Sequence, residues 1–90
     1  MAIGALFEGP GVTQQQYDAV FKEVIPDGKP PLGMVSHIAG PIEGGWRVVD
    51  VWESEQTFKT FGDKLIPAMQ RAGFAPIEPK VWPIHNSLAR

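Results

Sequence analysis

Hydrophobic and polar positions change period several times along the chain, and each change marks an element. Residues 2–8 form a short apolar run closed by Glu8-Gly9-Pro10-Gly11, which predicts a strand followed by a turn. Tyr17, Val20, Phe21 and Val24 then recur at i, i+3, i+4 and i+7, one face of a helix. Thr13 has the position of its N-cap, with Gln16 three residues on completing a capping box, and Val12 and Tyr17 are placed for a hydrophobic staple. Pro26 ends this helix, because proline lacks the N–H and restricts the residue before it. Residues 26–33 carry no period and read as a loop.

Residues 34–40 and 46–53 read as the two arms of a hairpin around a turn at 41–45, with β-branched and aromatic residues dominating the second arm. A turn centred on Glu43-Gly44 sets His37 opposite Asp50, Ala39 opposite Val48 and Val35 opposite Trp52. Ser54 is a good N-cap for a second helix, whose stripe is Phe58, Phe61, Leu65, Met69 and Ala72, with Gly73 just past its end. Pro67 falls inside that stripe and is expected to kink or split the helix. Residues 77–86 hold Val81, Trp82, Ile84 and His85 among prolines, the composition of an edge strand.

The order β-α-β-β-α-β defines a single α+β domain over residues 1–90. It is ferredoxin-like: an antiparallel four-stranded sheet with two helices on one face. Two helices cover one side of such a sheet, so the assignment of each strand face matters. In the second hairpin arm Arg47, Val49, Val51 and Glu53 alternate with Trp46, Val48, Asp50 and Trp52. Val49 and Val51, with Ile38 across the hairpin, are assigned to the helix side. The other set, joined by Val35 and Ala39, then forms an apolar open face of the size that marks an interface, and a second copy of the chain is its simplest cover.

Composition strengthens the need for that cover. A chain of 90 residues buries a thin core, and with no cysteine it has neither disulfides nor thiolate metal sites. Two histidines far apart in sequence make a self-contained metal site unexpected. The net charge of −2 and the scattered Lys and Arg argue against nucleic acid as a partner. The first residues lack the positive region of a signal peptide, and no apolar run reaches membrane-spanning length, so a cytoplasmic protein with no membrane partner is expected.

His37 opposite Asp50 is the sharpest candidate for chemistry. A carboxylate fixes the tautomer of an imidazole, and a histidine is suited to proton abstraction near neutral pH. Trp46 and Trp52 on the same face would wall an aromatic substrate, with Val35, Phe21, Phe61 and His85 as further pocket candidates. The competing reading is a buried polar pair that satisfies itself and sets strand register. The first reading requires a cavity of roughly 300 Å³ or more lined by His37.

The element order, the stretch Gly44-Gly45-Trp46-Arg47-Val48-Val49-Asp50-Val51-Trp52-Glu53-Ser54 and the Phe58…Phe61 start of the second helix resemble the dimeric α+β barrel superfamily. Its members include antibiotic-biosynthesis-monooxygenase-like and stress-responsive barrel proteins. The resemblance implies two sheets packed face to face in a homodimer, with a small-molecule pocket between sheet and helices. It points to a cofactor-independent monooxygenase or related enzyme on an aromatic or polyketide-like molecule, where a substrate once deprotonated reacts with oxygen itself. The alternative is a non-catalytic ligand-binding or stress-associated protein. Haem-degrading relatives carry their axial histidine on a helix, beside an asparagine and a tryptophan. Both histidines here fall on strands, so haem is not expected and no cofactor is assigned.

Overall fold

A computed structural model describes residues 1–90. The elements run β1 (Ile3–Pro10), α1 (Gln14–Val24), β2 (Met34–Ile42), β3 (Gly45–Trp52), α2 (Glu55–Arg71) and β4 (Lys80–Pro83). The four strands form one antiparallel sheet in the order β2-β3-β1-β4, so the ferredoxin-like α+β fold holds. Local signals place the helix ends. Thr13 and Gln16 close the capping box on α1, Gln16 N–H donating to Thr13 Oγ1 at 3.2 Å and Thr13 N–H to Gln16 Oε1 at 3.0 Å. Ser54 Oγ accepts from Thr57 N–H at the start of α2.

Pro67 neither splits nor ends α2, which runs 17 residues through it. The ring removes one backbone donor, and the helix continues because the stripe around it is packed: Phe61 and Ala68 are buried, with Leu65 and Met69 against the core. Past the last turn Gly73 takes φ +84°. Gly73 N–H then donates to Gln70 O, and Phe74 N–H to Met69 O, at 3.1 and 3.0 Å. This Schellman closure turns Phe74 back toward the sheet.

The hairpin register is the expected one over most of its length: Ile42 faces Gly45, with Gly44 in the turn at φ +77°, and His37 faces Asp50. Near its open end a bulge intervenes, so Trp52 faces Met34 and the extra residue, Val35, is exposed.

The two faces are the reverse of the sequence assignment. Asp50 and Trp52 are 3% and 0% exposed, whereas Ile38 is 67% exposed. The set Trp46, Val48, Asp50 and Trp52 therefore points at the helices, and Val49, Val51 and Ile38 form the open side. Large rings span the gap between sheet and helices, where Trp52 packs on Phe58 and Phe61 with ring centroids 5.9 and 5.2 Å apart. Short β-branched side chains suit the flat outer face, where Arg47 in the same alternating set pairs with Glu8 at 2.7 Å. The core beneath the helices joins Ile3, Val20, Val24, Ile25, Trp52, Phe61 and Ala68.

Candidate active site

Three side chains from three elements meet at the helix-facing side of the sheet. Tyr17 comes from the start of α1, His37 from β2 and Asp50 from β3. Strand pairing alone sets His37 beside Asp50, and its Nδ1 lies 2.6 Å from Asp50 Oδ1. Nε2 of the same ring lies 2.6 Å from the Tyr17 hydroxyl. Asp50 is buried, and its other carboxylate oxygen accepts from Trp52 Nε1 at 3.4 Å. The tautomer that satisfies both neighbours carries its proton on Nδ1, donating to Asp50, and leaves Nε2 to accept from Tyr17. The Tyr17 ring lies nearly parallel to the His37 ring, at 11° with centroids 6.0 Å apart, as the hydrogen bond between them requires, and 5.4 Å from Trp46. Burial, followed by the charges of Asp50 and Asp18, holds the Tyr17 hydroxyl above the ordinary tyrosine pKa, so it is neutral at physiological pH.

This polar chain forms one wall of a void between sheet and helices. Fifteen of its 18 lining residues are hydrophobic, and no Lys or Arg is among them. Of the sequence candidates, His37, Asp50, Trp46, Phe21 and Phe61 line it together. The other three do not. Trp52 lies beneath the lining, packed on Asp50 and Phe61; Val35 is turned outward by the bulge; and His85 is exposed on the segment after β4. Helical spacing alone makes Tyr17 a stripe residue and gives its hydroxyl no role. The signal was present, since a tyrosine on a core-facing stripe needs a polar partner across the interface.

The void is small. Its volume is about 70 Å³, well below the expected 300 Å³ and below the roughly 150 Å³ that holds a benzene ring. Beside it, between α2 and residues 74–79, lies an apolar groove of about 580 Å³. Phe7, Leu65, Met69, Phe74 and Ile77 line both spaces and separate them. Haem does not fit these residues: neither helix carries a histidine, both nitrogens of His37 are engaged, and the void is far smaller than a porphyrin. No group of three or more His, Asp or Glu side chains is arranged to hold a metal ion.

No family model and no curated protein matches the sequence. Solved structures match over nearly its full length. SnoaB, a cofactor-independent oxygenase from Streptomyces nogalater, aligns at a TM-score of 0.63 and 14% identity, covering 99% of this chain and 97% of that one. A candidate antibiotic biosynthesis monooxygenase from Chloroflexus aurantiacus aligns at 0.61 and 17%, with 97% of both chains covered. MhuD, solved as a point mutant with two manganese protoporphyrin IX molecules per active site, aligns at 0.63 and 14% over 100% of both chains. At such identities the likeness concerns the backbone, and the chain therefore carries the fold of the antibiotic-biosynthesis-monooxygenase-like proteins.

Proposed function

We propose that this protein is a homodimeric small-molecule enzyme that works without a cofactor, taking a proton from an aromatic or polyketide-like substrate in an oxygenase-type reaction. One observation carries the reading: a His37–Asp50 pair, oriented at 2.6 Å, borders an apolar void in a fold shared with a cofactor-independent oxygenase. His37 is the base. Asp50 holds its ring and faces the positive charge it gains, while Trp46, Phe21 and Phe61 exclude water. An aromatic substrate enters from the groove when the Met69 and Phe74 side chains yield, and methionine adapts to such a change readily.

The partner is a second copy, seated on the open sheet face. Leu6, Ile38, Val49, Val51 and Trp82 make that face apolar, and the helices leave it bare. The domain is read as one cytoplasmic unit spanning residues 1–90.

The small void favours a second reading, in which the polar pair is structural and the protein binds a ligand or serves in stress without catalysis. Oxygen uptake with hydroxylated aromatics separates the two. On the enzymatic reading, H37Q lowers turnover about 10²–10⁴-fold, the usual contribution of a positioned base, and leaves the dimer intact. Turnover equal to that of the unaltered protein, or a loss of turnover that only follows a loss of fold or dimer, supports the structural reading.

A further inference from the structure

His37 does not present its free nitrogen to the void: Nε2 is covered by the Tyr17 hydroxyl at 2.6 Å. Any ligand at this wall therefore meets the phenol first. The Tyr17 proton is directed at Nε2, so its oxygen is left as an acceptor toward the lining. Trp46 lines the same void, and its Nε1 is a buried donor with no partner in the protein. An acceptor beside a spare donor matches a hydroxyl group, which gives one hydrogen bond and takes another. The only formal charge at the wall is the Asp50 carboxylate, with no cation to oppose a ligand anion. A carboxylate or phosphate ligand would be repelled and left without a counter-charge, while a neutral hydroxyl would not.

We propose that Tyr17 is the catalytic residue that meets the substrate, and that it relays a proton to His37 from the neutral hydroxyl of a phenol or enol. The proposal rests on the reading above, that the pocket removes a proton from its ligand. In the step, the substrate O–H bond breaks and its proton bonds to the Tyr17 oxygen as the Tyr17 proton passes to His37 Nε2. The products are a substrate oxyanion, a neutral tyrosine, and an imidazolium facing Asp50. No electrons leave the pair of reactants, and Trp46 Nε1 gains the acceptor it lacks.

The test uses para-nitrophenol, whose ionised form has its own visible band, with para-nitrobenzoate as the charged control of similar shape. The unaltered protein is expected to bind the phenol as its oxyanion and the benzoate at least about tenfold more weakly. Y17F keeps the ring and is expected to cut the bound ionised fraction about tenfold or more. Because Tyr17 is the only tyrosine in the chain, growth on fluorotyrosine changes this phenol alone and keeps the fold. Its stronger O–H donor is expected to raise the ionised fraction. Should Y17F and fluorotyrosine leave that fraction unchanged while H37Q abolishes it, the relay is overturned and the base reading stands. Should none of the three alter it, or should no oxyanion form on the unaltered protein, both fall. Equal binding of the benzoate overturns the ligand class.

Discussion

Tyr17 packs on the core-facing side of α1 and bonds His37 through its hydroxyl, and its titration reports those surroundings. Desolvation raises its pKa first, and the negative charges facing it, Asp50 from β3 and Asp18 from its own helix, raise it further; His37 is the neighbour that accepts its proton. The folded phenol thus keeps its proton to higher pH than the unfolded one, whose ordinary value is about 10. The sign follows: this contribution to stability is complete below about pH 10 and is lost as pH rises through the native value. As the chain holds one tyrosine, ultraviolet titration reads this residue without interference. The native midpoint is expected above that in denaturant, and Y17F should remove the corresponding part of the alkaline loss of stability. A native midpoint at or below the denatured one contradicts the geometry. Asp50 has a larger structural role, since it accepts from both His37 Nδ1 and Trp52 Nε1 in a site 3% exposed. D50A leaves the buried Trp52 donor and the half-buried His37 donor without an acceptor and is expected to lower stability by about 2–3 kcal/mol. Urea unfolding checks this, and a loss within about 0.5 kcal/mol, as for a surface change, means the two donors are satisfied without Asp50.

At the scale of elements, alternation along β3 is readable from sequence, and its sign only through the charges that flank it. A strand places every second residue on one face whatever lies opposite, so His37, Asp50, Trp46 and Trp52 were grouped correctly from pairing alone. Which group met the helices depended on ring size, and on charges that were legible: Arg47 and Glu53 bracket Val49 and Val51, and charged side chains belong to the solvent side. Helix caps, the hairpin turn and the Gly73 terminus rest on neighbours within a few residues, hence their agreement with the sequence reading. The bulge at Val35 and the unbroken α2 depend on tertiary packing and carry no local mark. Gly4 illustrates a contact between elements that composition could not disclose. It pairs with Trp82 across β1 and β4, and a Cβ placed on it would overlap the six-membered ring of that tryptophan. The indole lies over the glycine and anchors a strand of four residues to the edge of the sheet. G4A is expected to displace Trp82 and destabilise the protein by about 1–3 kcal/mol, as overpacking does. Trp82 is exposed enough for its emission to report the change; a variant that melts and fluoresces like the unaltered protein would remove the contact from the account.

For the whole molecule the decisive quantity is how little one chain buries: 13 of 90 residues. The apolar side chains that remain outside are grouped, not scattered. Cross-strand partners align Ile38, Val49 and Leu6 in one row of the open face, and Val51 and Gly4, with Trp82 over it, in the next. Ile38 and Trp82 are 67% and 41% exposed, and an isolated monomer rarely carries such a contiguous patch. The reversal of faces leaves the argument for a second copy intact and changes the residues that make it. The patch is now aliphatic with one tryptophan, and the Arg47–Glu8 pair marks its polar rim. Val49 lies on a central strand of this face, so V49K places an ammonium group where the second sheet would pack. Sizing should give twice the 9.9 kDa chain mass for the unaltered protein, with a melting temperature that rises with concentration. V49K should elute as a single chain and melt at a lower temperature independent of concentration. A monomer at micromolar concentration before any substitution would refute the barrel. Because Tyr17, His37 and Asp50 occupy the opposite side of the same sheet, V49K also separates two roles of the strand. If phenol binding survives the loss of the dimer, each subunit holds a complete site and the partner contributes stability. If binding vanishes with the dimer, the site is incomplete without the second sheet packed behind the strands that carry His37 and Asp50.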